Sequence, residues 1–177
     1  PRTLEQSTVM FIDFKDFTEI SSQLSPTQLI DTLTDLFGTF DDILMRNHLE
    51  RIKTIGDAYM AFGGMSEAGP HQAIAMVSAA REIIQFLKRW NRTRSDQHDF
   101  EARIGIHTGP VVAGVVGEQK FAFDIWGKTV NIASRLESAG QIGRINISDS
   151  TYRLIKDQFE CTNNGVKKLK GIGLMQT

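Results

Sequence analysis

The chain has 177 residues, 41% hydrophobic and 23% charged, enough to bury one sizeable core with little length left for a second domain. Twenty basic residues against twenty-one acidic ones leave a formal net charge of −1, which excludes an acidic or basic tail and does not argue for a nucleic-acid binder. The single cysteine, Cys161, excludes an intrachain disulfide and argues against a cysteine zinc site; no apolar run approaches the roughly 20 residues of a membrane span, and Pro1–Gln6 lacks the basic-then-apolar form of a signal peptide.

The first apolar run, Val9-Met10-Phe11-Ile12, ends on Asp13 and reads as a short buried strand. A helix is predicted from about Phe17 to Leu24. Ser25-Pro26-Thr27-Gln28 then starts another, because Ser25 can cap, Pro26 suits the first turn and Gln28 completes a capping box. Leu29, Leu33, Leu36, Phe37, Phe40, Ile43 and Leu44 recur at three- and four-residue steps, as one buried helix face requires. Arg51–Ile55 and Ala58–Phe62 flank Gly56-Asp57 and predict a hairpin. Gly63-Gly64 and Gly69-Pro70 break the chain before a helix from about His71 to Arg92, with Ile74, Val77, Ile84, Phe86 and Leu87 among its buried positions; polar Thr93 to Asp99 predicts a loop.

Ala102–His107 and Val111–Val116 predict two strands joined at Thr108-Gly109-Pro110, and Gly105, Gly109, Gly114 and Gly117 mark close approaches of a backbone or ligand. A loop leads to Phe123–Gly127, and a helix takes Lys128 to about Ser138. Ile145–Ile147 is a strand, Ser148 or Asp149 caps a short helix to about Lys156, and strands near Phe159–Thr162 and Lys167–Lys170 finish the chain. This order predicts an α+β fold, a ferredoxin-like sheet with helices packed on it.

Asp13 ends a buried strand and Asp57 sits at a hairpin turn. Two carboxylates at the ends of neighbouring strands could hold Mg²⁺, which takes oxygen ligands; each alone is equally a cap or turn residue. Asn131 and Arg135, four apart, share one helix face. That face suits a sugar and a phosphate chain, or is simply solvated. Lys170, beside Lys167 and Lys168, reads alone as a surface lysine.

Five blocks together carry more than any residue does singly: Phe11–Thr18, Lys53–Met60, Arg103–Val111, Trp126–Ser138 and Leu169-Lys170-Gly171. In order and spacing they resemble the signature blocks of the class III nucleotide cyclase catalytic domain, from about Ser7 to the end of the chain. The resemblance implies that Asp13 and Asp57 bind two metal ions per site, Mg²⁺ or Mn²⁺. It implies that Lys53 and Asp124 read the purine edge, Asn131 orients the ribose, and Arg135 and Lys170 contact the phosphates. Phe14, Phe17 and Thr18 belong to the loop that faces the triphosphate. It also implies a head-to-tail homodimer whose two active sites each draw the metal aspartates from one chain and the other residues from its partner, so that a monomer is inactive.

Lys53 can only donate and ionised Asp124 can only accept, a pair that suits adenine's ring nitrogen and amino group. Guanylate cyclases typically carry Glu and Cys at those positions, so the expected reaction is adenylate cyclase chemistry: ATP to 3′,5′-cyclic AMP and pyrophosphate. The alternatives are a guanylate cyclase, or an inactive cyclase-like domain that only dimerises or senses nucleotide; a diguanylate cyclase lacks support because its Gly-Gly-Asp/Glu-Glu-Phe signature is absent. In two places the sequence departs from the family. Asp16 stands where Gly is usual, and is expected to cap the following helix. Lys128 replaces a frequent Asp and is expected to matter little. The abrupt ends, Pro1 and Met175-Gln176-Thr177, and the family's habits imply that residues 1–177 are one catalytic domain cut from a longer signalling protein with regulatory domains elsewhere, cytoplasmic or on the cytoplasmic side of a membrane.

Overall fold

A computed structural model describes residues 1–64, 69–94, 98–117 and 121–177. The elements are β1 (Arg2–Phe14), α1 (Phe17–Gln23), α2 (Pro26–Arg46), β2 (Glu50–Ile55), β3 (Ala58–Gly63), α3 (Pro70–Thr93), β4 (Ala102–Val116), β5 (Ala122–Trp126), α4 (Lys128–Ser138), β6 (Ile145–Ile147), α5 (Asp149–Ile155), β7 (Val166–Leu169) and β8 (Gly173–Gln176). Of the loop expected over 93–99, Thr93 ends α3 and residues 95–97 lie outside the described residues, as do 118–120 before β5.

The main sheet runs β2-β3-β1-β4-β5, with β6 joined in parallel to β4 at Ile104–Ile106. The ferredoxin-like expectation holds: β1 is central and antiparallel to both β3 and β4. Helices cover both faces, so Val9–Ile12 is buried throughout and reads as an unbroken apolar run without polar alternation. Met10, Ile12 and Phe14 face the core formed with α2, α3 and α5, where Phe40, Leu44, Met76 and Ile83 are essentially inaccessible. Val9 and Phe11 face a second core that includes Ala133 of α4. Beyond α4, the β7–β8 hairpin packs Leu169 against Ile132 and Leu136.

The Ser25 capping box forms as expected: Gln28 N–H donates to Ser25 Oγ at 3.2 Å and Ser25 N–H to Gln28 Oε1 at 2.9 Å. Of the expected helix positions, Leu29, Leu33, Ile74, Ile84 and Phe86 are only half-buried and fringe the core.

Two strand expectations are corrected, and one strand is added. Ala102–Val116 is one strand of 15 residues, unbroken at Gly109-Pro110. Ala102 to Ala113 pair with β1, and the ladder absorbs the irregularity through one extra residue on β1 between Leu4 and Ser7. Ala122–Trp126 is a strand, since it pairs with the second half of β4. Phe159–Thr162 forms no strand; it follows α5 without a ladder partner, and the terminal hairpin is β7 with β8.

Gly105 is where α4 meets β4. A Cβ there would lie 2.1 Å from Glu137 N and 2.5 Å from Ala133 O, both backbone atoms of α4. Gly105→Ala should therefore cost about 3 kcal/mol or more by forcing the helix off the sheet. Gly38→Ala on α2, where a Cβ would meet nothing within 4 Å, should instead stabilise by about 0.5–1 kcal/mol. Thermal melts of the two variants check the opposite signs; equal shifts would refute the close approach.

Candidate active site

Asp13 is the next-to-last residue of β1, and Ile12 pairs with Tyr59 of β3. Asp57, two residues before Tyr59 in the β2–β3 turn, is thereby carried to Asp13. The carboxylates are close enough to hydrogen-bond. Asp57 is pushed up to about 6 by burial, and further by the hydrogen bond and charge of Asp13, while backbone N–H groups of Asp57 and Phe14 oppose the rise. Asp13 Oδ1 is buried without a hydrogen-bond partner. Crowded carboxylates with an orphaned oxygen fit a divalent cation, which would relieve both the repulsion and the missing partner. Among the described residues no group of three or more His, Cys, Asp or Glu gathers to hold a metal, so further ligands would be backbone carbonyl, water or phosphate oxygens.

Aromatic packing and polar contacts support the pair. Phe14 meets Phe100 edge-on at 5.5 Å, and Phe40 meets Tyr59 edge-on at 5.4 Å. Tyr59 donates from its hydroxyl to Asp41 Oδ1 at 2.6 Å, and Arg51 binds Asp41 Oδ2 at 3.1 Å, tying α2 to the β2–β3 hairpin.

Phe14, Phe17 and Thr18 line one open cleft of about 610 Å³ with Asp13 and Asp57. Asp16 lies there too, and its expected role is corrected. It occupies the N-cap position of α1, but at φ 53° and ψ 30° its side chain accepts no capping hydrogen bond. A capping side chain needs the extended backbone of an ordinary N-cap. The left-handed conformation explains why glycine suits this position, and Asp is among the residues that tolerate it.

Two further charged residues join this end, and the sequence reading assigned them no role. Arg103 stands opposite Asp13 in the β1–β4 ladder, with Nη2 3.9 Å from Asp13 Oδ2 and Nε 3.2 Å from Glu137 Oε2. Burial raises the Glu137 pKa and the charge of Asp57 adds to the rise, while Arg103 and a hydrogen bond with Asp13 oppose it. Both residues lie inside the quoted blocks. The available signal was an arginine two residues before a glycine that a helix must approach, and it became readable only once the ladder register was known.

A second group forms between the outermost strands. β2 and β5 are at opposite ends of the strand order, yet Lys53 Nζ reaches Asp124 Oδ2 at 2.5 Å. The sheet curls until its two edges meet at this ion pair. Asn131 and Arg135 are exposed on α4, and Lys170 is exposed in the turn between β7 and β8. The chain thus brings Asp13, Asp57, Phe14, Phe17 and Thr18 together at one end and Lys53 with Asp124 in another group, and leaves the Asn131, Arg135 and Lys170 side chains facing solvent. A larger cavity of about 660 Å³, bordered by Arg81, Arg144 and Ile147, contains none of them.

Comparison with known proteins defines the class to which a sheet of this topology, with a carboxylate pair at its central strand end, belongs here. The family described as "Adenylate and Guanylate cyclase catalytic domain" matches residues 1–177. An adenylate cyclase of Mycobacterium tuberculosis is 36% identical over 173 residues, covering 98% of this chain and 39% of the relative. The guanylate cyclase domain of RhGC from Catenaria anguillulae, solved in complex with GTP, superposes with a TM-score of 0.93 at 38% identity over 99% of this chain and 96% of that one. The adenylyl cyclase CyaB from P. aeruginosa superposes at 0.91 with 32% identity over 99% and 94%. The chain belongs to the class III adenylate and guanylate cyclase catalytic domain family and is a nucleotide cyclase domain. It spans about two fifths of the length of the mycobacterial relative. No helix among the described residues is long and apolar enough to cross a membrane.

Proposed function

We propose that the domain is an adenylate cyclase, acting as a head-to-tail homodimer with two shared sites, and the catalytic module of a longer signalling protein. The observation that carries the substrate choice is the Lys53–Asp124 contact at 2.5 Å. It sets a cation that only donates beside a carboxylate that only accepts, the complement of adenine's ring nitrogen and exocyclic amino group. Guanine presents a carbonyl and a ring N–H there and would leave both partners mismatched.

In the reaction the ATP 3′-hydroxyl oxygen bonds to the α-phosphorus, and the bond from that phosphorus to the α–β bridging oxygen breaks. Pyrophosphate leaves with the electron pair, and the hydroxyl proton passes to solvent. Asn131 orients the ribose so that the attack is in line. Arg135 and Lys170 balance charge growing on the phosphate oxygens, the larger share of catalysis in phosphoryl chemistry. Phe14, Phe17 and Thr18 shape the cleft for the triphosphate, and Asp16 adds a carboxylate to its wall. Asp13 and Asp57 would hold two divalent ions, Mg²⁺ or Mn²⁺, which when bound acidify the hydroxyl and neutralise phosphate charge. Asp57, pushed up to about 6, keeps a proton in mildly acid solution that the ions must displace.

The test is turnover of ATP and GTP, each with Mg²⁺ or Mn²⁺, across protein concentration. ATP should be preferred at least about a hundredfold, since the wrong base would leave a donor and an acceptor unpaired in a site closed by the partner chain, and specific activity should rise with concentration as dimers form. Equal or greater turnover of GTP would overturn the base assignment.

A further inference from the structure

We propose that Glu137, although it stands on the same helix as Asn131 and Arg135, serves the metal-carboxylate half of its own chain: it is a positioning residue that holds the Arg103 guanidinium off Asp13. The inference rests on the shared-site reading above.

Arg103 and Asp13 are direct partners in the β1–β4 ladder, so their side chains leave the sheet on the same face. Left alone, the guanidinium would close on that carboxylate and compete with any cation for it. It does not close. Nη2 stays 3.9 Å from Asp13 Oδ2, while Nε is 3.2 Å from Glu137 Oε2. The stronger hold is therefore Glu137, whose carboxylate is only 7% exposed against 27% for Asp13. A buried carboxylate is costly without a charged partner, and Arg103 is the cation that meets Glu137, which also lies within reach of Asp13 and Asp57.

Gly105 makes the reach possible. It lies two residues beyond Arg103 on the same strand face, and the missing Cβ lets the backbone of Glu137 settle onto β4. At about 100° per residue, Glu137 points about 160° away from Arg135 around α4. The helix has two working faces. The outer, exposed one bears Asn131 and Arg135 for the site completed by the partner chain. The inner one bears Glu137, which acts through Arg103 on the Asp13–Asp57 pair of its own chain, and hence on the other site of the dimer.

Mn²⁺ binding by the unliganded full chain, followed by the EPR signal of free Mn²⁺, tests this without turnover. Glu137→Gln, which keeps size and shape, should weaken binding about threefold or more, with Glu137→Asp in between; in an Arg103→Ala background Glu137→Gln should change it by less than about 1.5-fold, because the two residues act as one unit. An equal loss in both backgrounds, or no loss in either, overturns the proposal. A single-site heterodimer then assigns the half. One chain carries Arg135→Ala and its partner Asp57→Ala, leaving one intact site whose aspartates come from the first chain. Glu137→Gln in that first chain should raise the Mn²⁺ concentration for half-maximal activity about threefold or more, and in the second chain should leave it unchanged. The reverse pattern, expected if Glu137 merely packs α4, refutes the proposal. An inactive heterodimer, with mixing demonstrated, would instead count against the shared site, and the Mn²⁺ titration of single variants still decides the role of Glu137.

Discussion

Chains carrying Asp57→Ala and chains carrying Lys170→Ala, each lowered about a hundredfold or more when alone, are expected to recover about a quarter of the unmutated activity when mixed. The physical reason is the separation of the two residues. Asp57 is packed beside Asp13 at the end of the central strands. Lys170 stands exposed in the β7–β8 turn, on a hairpin whose Leu169 packs against α4. If one site used both residues of one chain, neither variant could supply what the other lacks. In a head-to-tail dimer each site takes Asp57 from one chain and Lys170 from the other. Random exchange makes about half of the dimers mixed, and each mixed dimer has one site with both lesions and one with neither. Native mass spectrometry reports the exchange, and cyclic nucleotide formation reports the recovery. Complete exchange without recovery would rule out the shared site. Recovery near a quarter would also establish that Lys170 acts on chemistry centred on the partner's carboxylate pair.

The second large effect concerns the base. Lys53→Glu combined with Asp124→Cys should move the ratio of GTP to ATP turnover by about a hundredfold or more towards GTP. Glu accepts from the guanine ring N–H, and the Cys S–H donates, weakly, to its carbonyl. The single change Lys53→Glu should be worse than the pair on both nucleotides. It would set a carboxylate against Asp124, at a place where opposite charges now meet at 2.5 Å and hold β2 against β5. Thermal melts of the single and double variants separate this effect from base choice: the single variant should melt lower than the double. An unchanged nucleotide ratio in a well-folded double variant would remove the pair from base recognition. Relatives of both kinds superpose on this chain closely, an adenylyl cyclase at 0.91 and a guanylate cyclase at 0.93. The fold therefore does not distinguish the substrates, and a few side chains must.

Much of the architecture was legible from local signals. The α2 capping box, the turn at Gly56-Asp57 and the apolar run in β1 depend on near neighbours in the chain, and each forms where the sequence places it. Errors fell where a distant partner decides. Gly109-Pro110 looks like a break, yet the length of β1 opposite carries β4 straight through it. Asp124 lies in a stretch that carries no clear local signal, and becomes a strand residue because β4 is there to pair with it. Asp16 has the right identity for a cap and the wrong backbone angle, which no propensity for Asp reveals.

The sequence by itself determined the ferredoxin-like order of elements, the family, and the identities of the carboxylate pair, the Lys53–Asp124 pair and the residues on α4. The order of elements follows from residue type and local spacing, and the family and the two pairs follow from the resemblance that the five sequence blocks carry together. Only the tertiary structure decided which of them meet. Asp57 reaches Asp13 through the β1–β3 register, Lys53 reaches Asp124 because the sheet curls edge to edge, and Glu137 reaches Arg103 because Gly105 lets a helix touch a strand. Each of these contacts joins segments far apart in sequence, so it depends on register, curl and close approach, quantities that belong to the packed sheet and not to any one stretch of chain.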